Sequence, residues 1–139
     1  MRSDKNLTLV LLTYAHGRVR ISGQHEETLI VRHGGAIERI NTMDLGFPLG
    51  LEADIAEFIR HTCVALQPGD GVVLYTDGIT EAADMHHRLY GIERLCTVLS
   101  QHWAGTAQDI QAAVMADVRG HIGAQKVFDD ITLVVAKQR

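Results

Sequence analysis

The sequence predicts an α+β domain with mainly antiparallel sheet, and three observations lead there. Apolar runs over residues 7–40 alternate with polar residues and are separated by glycine-containing turns. After Gly78 the apolar spacing changes to a helical period, and a β-rich run, ITLVVA, then closes the chain. Strands, then helices, then one strand suit α+β layering rather than a βαβ array. With 139 residues, 46% of them hydrophobic, the expectation is a single domain over 1–139 with enough apolar material to close a core.

The elements follow in order. Residues 7–14 are rich in Leu, Val and Thr, and 18–22 alternate as RVRIS; Ala15-His16-Gly17 between them makes a hairpin, with Gly supplying a positive φ. TLIVR at 28–32 and AIERI at 36–40 flank His33-Gly34-Gly35 and repeat the signature, so the first forty residues read as one antiparallel meander. The segment 46–50, GFPLG, is a turn-rich connector. Residues 58–66 read as a further strand, and Pro68-Gly69-Asp70 is a tight turn feeding a short buried strand at 72–75. Ile92, Leu95, Cys96 and Leu99 recur at helical spacing and predict a helix over 91–103, with Cys96 and Trp103 as packing residues. Thr106 followed by Asp109 is close to a capping box and starts a second helix, which runs to about Gly120, with Gly123 helping to end it.

Composition excludes several classes of function. The chain has 13 Lys+Arg against 17 Asp+Glu, a formal charge of −4, which argues against a nucleic-acid partner, since such domains gather basic excess on one face. Cys63 and Cys96 are far apart and outside any CxxC pattern, so neither a disulfide framework nor a zinc ribbon is expected. The run 7–12 is short for a signal-peptide core, Asp4 spoils the basic flank, and His16-Gly17-Arg18 follows where small residues would stand; it reads as a strand. No stretch approaches the roughly 20 apolar residues of a membrane span. The expected location is cytoplasmic, with no membrane partner.

Chemistry concentrates at two strand ends. In Thr76-Asp77-Gly78-Ile79-Thr80-Glu81 and in Asp129-Asp130-Ile131-Thr132, an apolar strand abuts a carboxylate. Such a junction holds an oxygen ligand rigidly while keeping it out of the core. Asp followed by Gly suits a hard divalent cation, because a backbone carbonyl and waters approach with no Cβ in the way. Either motif alone is also what an ordinary turn or a solvated strand start looks like. His86-His87 read as a solvated loop, His25 as a strand-turn histidine, and Arg18, Arg20 and Arg32 as exposed strand positions.

The ordered set is more specific than its parts: GFPLGL at 46–51, LQPGD at 66–70, LYTDGITEA at 74–82, YGIERL at 90–95 and DDITLVV at 129–135. In order and spacing it resembles the C-terminal part of the SpoIIE/RsbU-type metal-dependent protein serine/threonine phosphatases, the bacterial branch of the PPM (protein phosphatase type 2C-like) family. The resemblance runs over about 7–136. It implies an α-β-β-α sandwich with mainly antiparallel sheets, of which this chain is the C-terminal portion, carrying two Mn²⁺ or Mg²⁺ ions in the complete family site. Asp77 matches the metal-ligating Asp of the family's TDG motif, with Gly78 beside it. Asp129 matches the first Asp of its terminal DD/DN motif, and Asp130 is the supporting acid. The implied chemistry is in-line attack of water on a phosphomonoester, with no covalent phosphoenzyme.

The family's upstream acidic motifs, GGDxxD-like and GDVSGHG-like, have no counterpart here, and its AGHPP segment stands as Ser22-Gly23-Gln24-His25-Glu26-Glu27. The resemblance therefore implies a partial metal site with about half of the carboxylates. The implied substrate is a phosphoprotein of a partner-switching pathway, such as a phosphorylated anti-sigma-factor antagonist. The alternative is a truncated, non-catalytic pseudophosphatase-like binding module. Sheet positions left uncovered would let the chain form a homodimer.

Overall fold

The computed structural model describes residues 9–24, 26–42, 61–124 and 130–139. The chain divides into two compact units, 1–27 with 40–66 and 28–39 with 67–139. The class is α+β with antiparallel sheets, as the alternation of apolar runs predicts.

The first unit holds a sheet of order β1-β2-β5, made from Leu9–Ala15, Arg18–Gln24 and His61–Ala65. Strands β1 and β2 pair antiparallel from Leu9↔Gln24 to Ala15↔Arg18, leaving a two-residue turn. Both turn residues lie in the left-handed region, His16 at φ 51° and Gly17 at φ 74°, the conformation whose twist matches a right-twisted hairpin. Val19 and Ile21 of β2 are buried, while Leu9, Leu11 and Tyr14 of β1 are exposed. The predicted strand over 58–66 is present at its C-terminal end as β5; its first three residues and the 46–50 connector lie outside the described residues.

The second unit holds a sheet of order β4-β3-β6-β7, from Ile37–Ile40, Thr28–Val31, Gly71–Tyr75 and Leu133–Lys137. The single meander expected over residues 7–40 is thereby corrected: its two hairpins belong to different sheets. The reason is visible in burial. All four residues of β3 are buried, so TLIV is an interior strand that needs cover on both faces and a neighbour on each edge. It takes β6 as that neighbour, Leu29↔Val73 to Val31↔Gly71, while β2 takes β5.

Two helices pack on this sheet's apolar side chains. Helix α2 spans Ile92–His102 and contributes Leu95, Val98 and Leu99. Helix α3 spans Ala107–Ile122 and contributes Ile110, Val114, Val118 and Ile122, one residue every four. The capping box is complete: the Asp109 N–H donates to Thr106 Oγ1, and the Thr106 N–H donates to Asp109 Oδ2, both at 3.1 Å. Those two Thr106 contacts hold the Asp109 carboxyl below its ordinary value. At the C-terminus of α2 the buried Trp103 donates its indole N–H to the Gly69 carbonyl (2.8 Å). Lys137 Nζ donates to the carbonyls of Trp103 and Gly105 at 2.7 and 2.8 Å, a cation on the negative end of the helix dipole.

A one-turn helix, α1, at Asp77–Thr80 follows β6 after Thr76, at a place the sequence pattern marks only as a strand end. The Pro68-Gly69-Asp70 turn ahead of β6 is built around a buried charge. Asp70 accepts from the Gln67 N–H (2.8 Å), the His33 N–H (2.8 Å) and Arg32 Nη1 (3.0 Å). Burial pushes its carboxyl up, but these three donors outweigh burial and hold it below its ordinary value.

A carboxyl depressed by folding binds fewer protons in the native state, so its contribution is present above the unfolded pKa of about 3.9 and is lost as pH falls through the folded value. Asp70→Ala is expected to cost about 3 kcal/mol by removing the buried acceptor shared by the Gln67 and His33 N–H groups and Arg32. Urea titrations between pH 3 and 7 should show the wild-type chain losing stability with acid more steeply than the variant.

Candidate functional site

The site forms where the β6–β7 ladder ends. The strands pair from Gly71↔Lys137 to Tyr75↔Leu133, so the antiparallel arrangement brings the residues after Tyr75 beside those before Leu133. One side carries Thr76 and Asp77, the other Asp130, Ile131 and Thr132. Two acids more than fifty positions apart in sequence are thus delivered to one sheet end by strand pairing alone.

Three hydrogen bonds from Thr76 join the two segments. Its N–H donates to the Thr132 carbonyl (3.1 Å), and its hydroxyl donates to the Asp130 carbonyl (3.2 Å) while accepting from the Thr132 N–H (3.1 Å). Gly78 is buried just beyond, and a Cβ built on it would fall on the Asp130 carbonyl oxygen. The room that Asp-Gly was expected to leave is therefore taken up by backbone of the neighbouring segment.

Asp77 opens α1, and its carbonyl accepts from the Glu81 N–H (2.8 Å) and from Thr80 Oγ1 (3.4 Å). The Asp77 side chain is half-buried. Among the described residues no hydrogen bond or ion pair engages its carboxylate. Asp130 is exposed, with its carbonyl turned to Thr76. Asp129 and His25 lie outside the described residues. Thr80 thus has a local role that its place in the motif did not reveal, and Glu81 is exposed.

These are hard oxygen donors, one of them an unengaged carboxylate, and that chemistry fits Mg²⁺ or Mn²⁺. Among the described residues no three His, Cys, Asp or Glu side chains gather as a ligand set. Asp77 and Asp130 alone supply fewer than the roughly six oxygens such an ion takes.

The connection between α1 and α2 is braced rather than loose. Asp84 accepts from the backbone N–H groups of His86 (2.8 Å) and Arg88 (2.9 Å) and from Arg88 Nε (2.8 Å). The Arg88 N–H foremost among them lowers the Asp84 carboxyl to about 2. His86 and His87 are exposed on this loop, in keeping with the solvated loop expected of them. Beside it, Arg94 makes a fork to Asp117 (2.9 and 3.1 Å), and the Tyr90 hydroxyl donates to the same carboxylate (2.7 Å). Burial, and then Asp117, push the Tyr90 hydroxyl well above its ordinary range. Arg94 also faces His121 Nδ1 at 3.1 Å. A guanidinium only donates, so that nitrogen accepts, and Nε2–H donates to the Arg88 carbonyl (2.9 Å). None of this cross-bracing is legible in spacing, because its partners come from three separate elements.

Comparison with known proteins places the chain. A family model described as stage II sporulation protein E (SpoIIE) matches residues 2–139. Protein IcfG of Synechocystis sp. is 26% identical over 114 residues, 82% of this chain and 17% of that protein. The SiaA-PP2C domain of Pseudomonas aeruginosa is similar with a TM-score of 0.74 at 21% identity, covering 88% of this chain and 47% of that one. The phosphatase domain of the cell fate determinant SpoIIE from Bacillus subtilis gives 0.65 at 16% identity, with 96% and 56% covered. At these identities the solved structures speak for the fold, and the chain spans about half of each of them.

Gly78→Ala should therefore destabilise the second unit by about 1–3 kcal/mol through overpacking. Chemical denaturation measures the loss, and amide shifts should move chiefly at residues 130–132.

Proposed function

Because the chain belongs to the SpoIIE family, whose solved relatives carry the PP2C-type phosphatase fold, we propose that it is the C-terminal portion of a PPM-type protein serine/threonine phosphatase domain. The observation that carries the reading is the Asp77 carboxylate, unengaged among the described residues, at the end of β6 beside Asp130. In this reading Asp77 and Asp129 hold divalent ions, Gly78 lies against the same site, and Asp130 supports it. Mn²⁺ or Mg²⁺, when bound, supplies Lewis-acid stabilisation of the phosphoryl oxygens and a nucleophile at neutral pH.

The chain's own contribution is placement. The α1 turn holds the Asp77 backbone through Thr80 and Glu81, and the β6–β7 ladder with Thr76 holds Asp130 beside it. A preorganised carboxylate avoids the cost of reordering ligands during phosphoryl transfer. The proposed substrate is a phosphoprotein, such as a phosphorylated anti-sigma-factor antagonist, met in the cytoplasm. No helix among the described residues is long and apolar enough to cross a membrane.

The test is a polypeptide in which residues 1–139 are preceded by the family's upstream acidic motifs. It should hydrolyse p-nitrophenyl phosphate in a Mn²⁺-dependent way. Asp77→Asn or Asp129→Asn should lower that rate by at least about 100-fold, beyond what losing an outer-shell partner costs. Absence of metal-dependent hydrolysis in the unsubstituted polypeptide would sink the proposal and favour a non-catalytic binding module.

A further inference from the structure

Thr76 occupies the N-cap position of α1 with extended backbone, φ −102° and ψ 160°, yet its side chain makes no capping hydrogen bond. Threonine at that position ordinarily accepts from an N–H of the first helical turn. Here the hydroxyl points across the sheet instead. It accepts from the Thr132 N–H, so its own proton is directed to the Asp130 carbonyl, an N–H to O–H to O=C relay with both capacities filled. The backbone ladder has a last registered pair at Tyr75↔Leu133, and from there the Thr76 side chain continues the pairing that α1 interrupts.

We infer that Thr76 is a positioning residue for metal binding: its hydroxyl fixes the separation between Asp77 and Asp130. The inference rests on the proposed reading that these acids hold a divalent ion. A cation held by carboxylates from two strands binds most tightly when neither segment must move to reach it. One hydroxyl tied to both the Asp130 carbonyl and the Thr132 N–H restrains that segment in translation along the strand and in tilt. Gly78 packs against the same Asp130 carbonyl, so the contact is closed from two sides.

The test uses the 139-residue chain and Mn²⁺ alone. Mn²⁺ affinity is measured by electron paramagnetic resonance of the free ion. On metal-free protein, the exchange rate of the Thr132 amide is measured by NMR. Thr76→Val removes the hydroxyl at nearly constant volume, and Thr76→Ala removes it in a smaller side chain should the valine variant fold poorly. Thr76→Ser restores the hydroxyl. The expected result is an affinity loss of about 10-fold or more in the hydroxyl-free variants, the scale of a lost outer-shell partner. Thr132 amide exchange should quicken in the same variants, and both effects should be reversed in Thr76→Ser.

Faster Thr132 exchange with unchanged Mn²⁺ affinity, in a chain whose Mn²⁺ binding is abolished by Asp77→Asn, would overturn the role of Thr76 and leave the metal reading standing. Mn²⁺ binding by wild type no tighter than by Asp77→Asn would overturn the role of Thr76 in this chain, and the metal reading would then stand or fall on hydrolysis by the longer polypeptide.

Discussion

Strand β6 can bury nearly every side chain it carries only because both its backbone edges are paired, to β3 on one side and β7 on the other. Unpaired N–H and C=O groups at that depth would cost more than the apolar side chains return. The helices settle on a sheet whose centre is fixed in this way, and Asp70 and Trp103 tie the turn before β6 to the turn after β3 and to the end of α2. What emerges beyond Tyr75 is accordingly held in place by the rest of the second unit.

Polar groups in this unit are used to hold segments rather than to decorate them. Asp70 gathers three donors, Asp84 gathers three, and Asp117 takes Arg94 and Tyr90 together. Asp70 and Asp84 do so in turns, where regular backbone pairing is lacking, and Asp117 does so from α3 toward α2 and Tyr90. Against those three the Asp77 carboxylate differs, because its backbone is secured while, among the described residues, its charge has no protein partner. That combination is what the proposed metal role asks of a ligand.

Elements whose stabilisation is local could be read from sequence. The His16-Gly17 turn, the α2 period of Ile92, Leu95 and Leu99, and the Thr106–Asp109 box depend on residues a few positions apart, and each stands where its pattern indicated. The division of the two hairpins between sheets could not be read, since TLIV and LVLLT look alike until something covers the second face of one of them. The candidate site was legible by residue type, in an acid at the end of an apolar strand, and illegible by arrangement. Thr76 sat in full view inside the motif, but its partner Thr132 is fixed only by the β6–β7 register.

The clamp at Thr76 spans 54 and 56 positions of sequence. Contacts of that range form after local ones, because loop closure must precede them. During synthesis both hairpins, α1 and both helices can leave the ribosome while Asp77 still has nothing across from it. The setting of Asp77 is therefore completed only when β7 docks, and a nascent or nicked chain that has not docked it carries the acid without the grip.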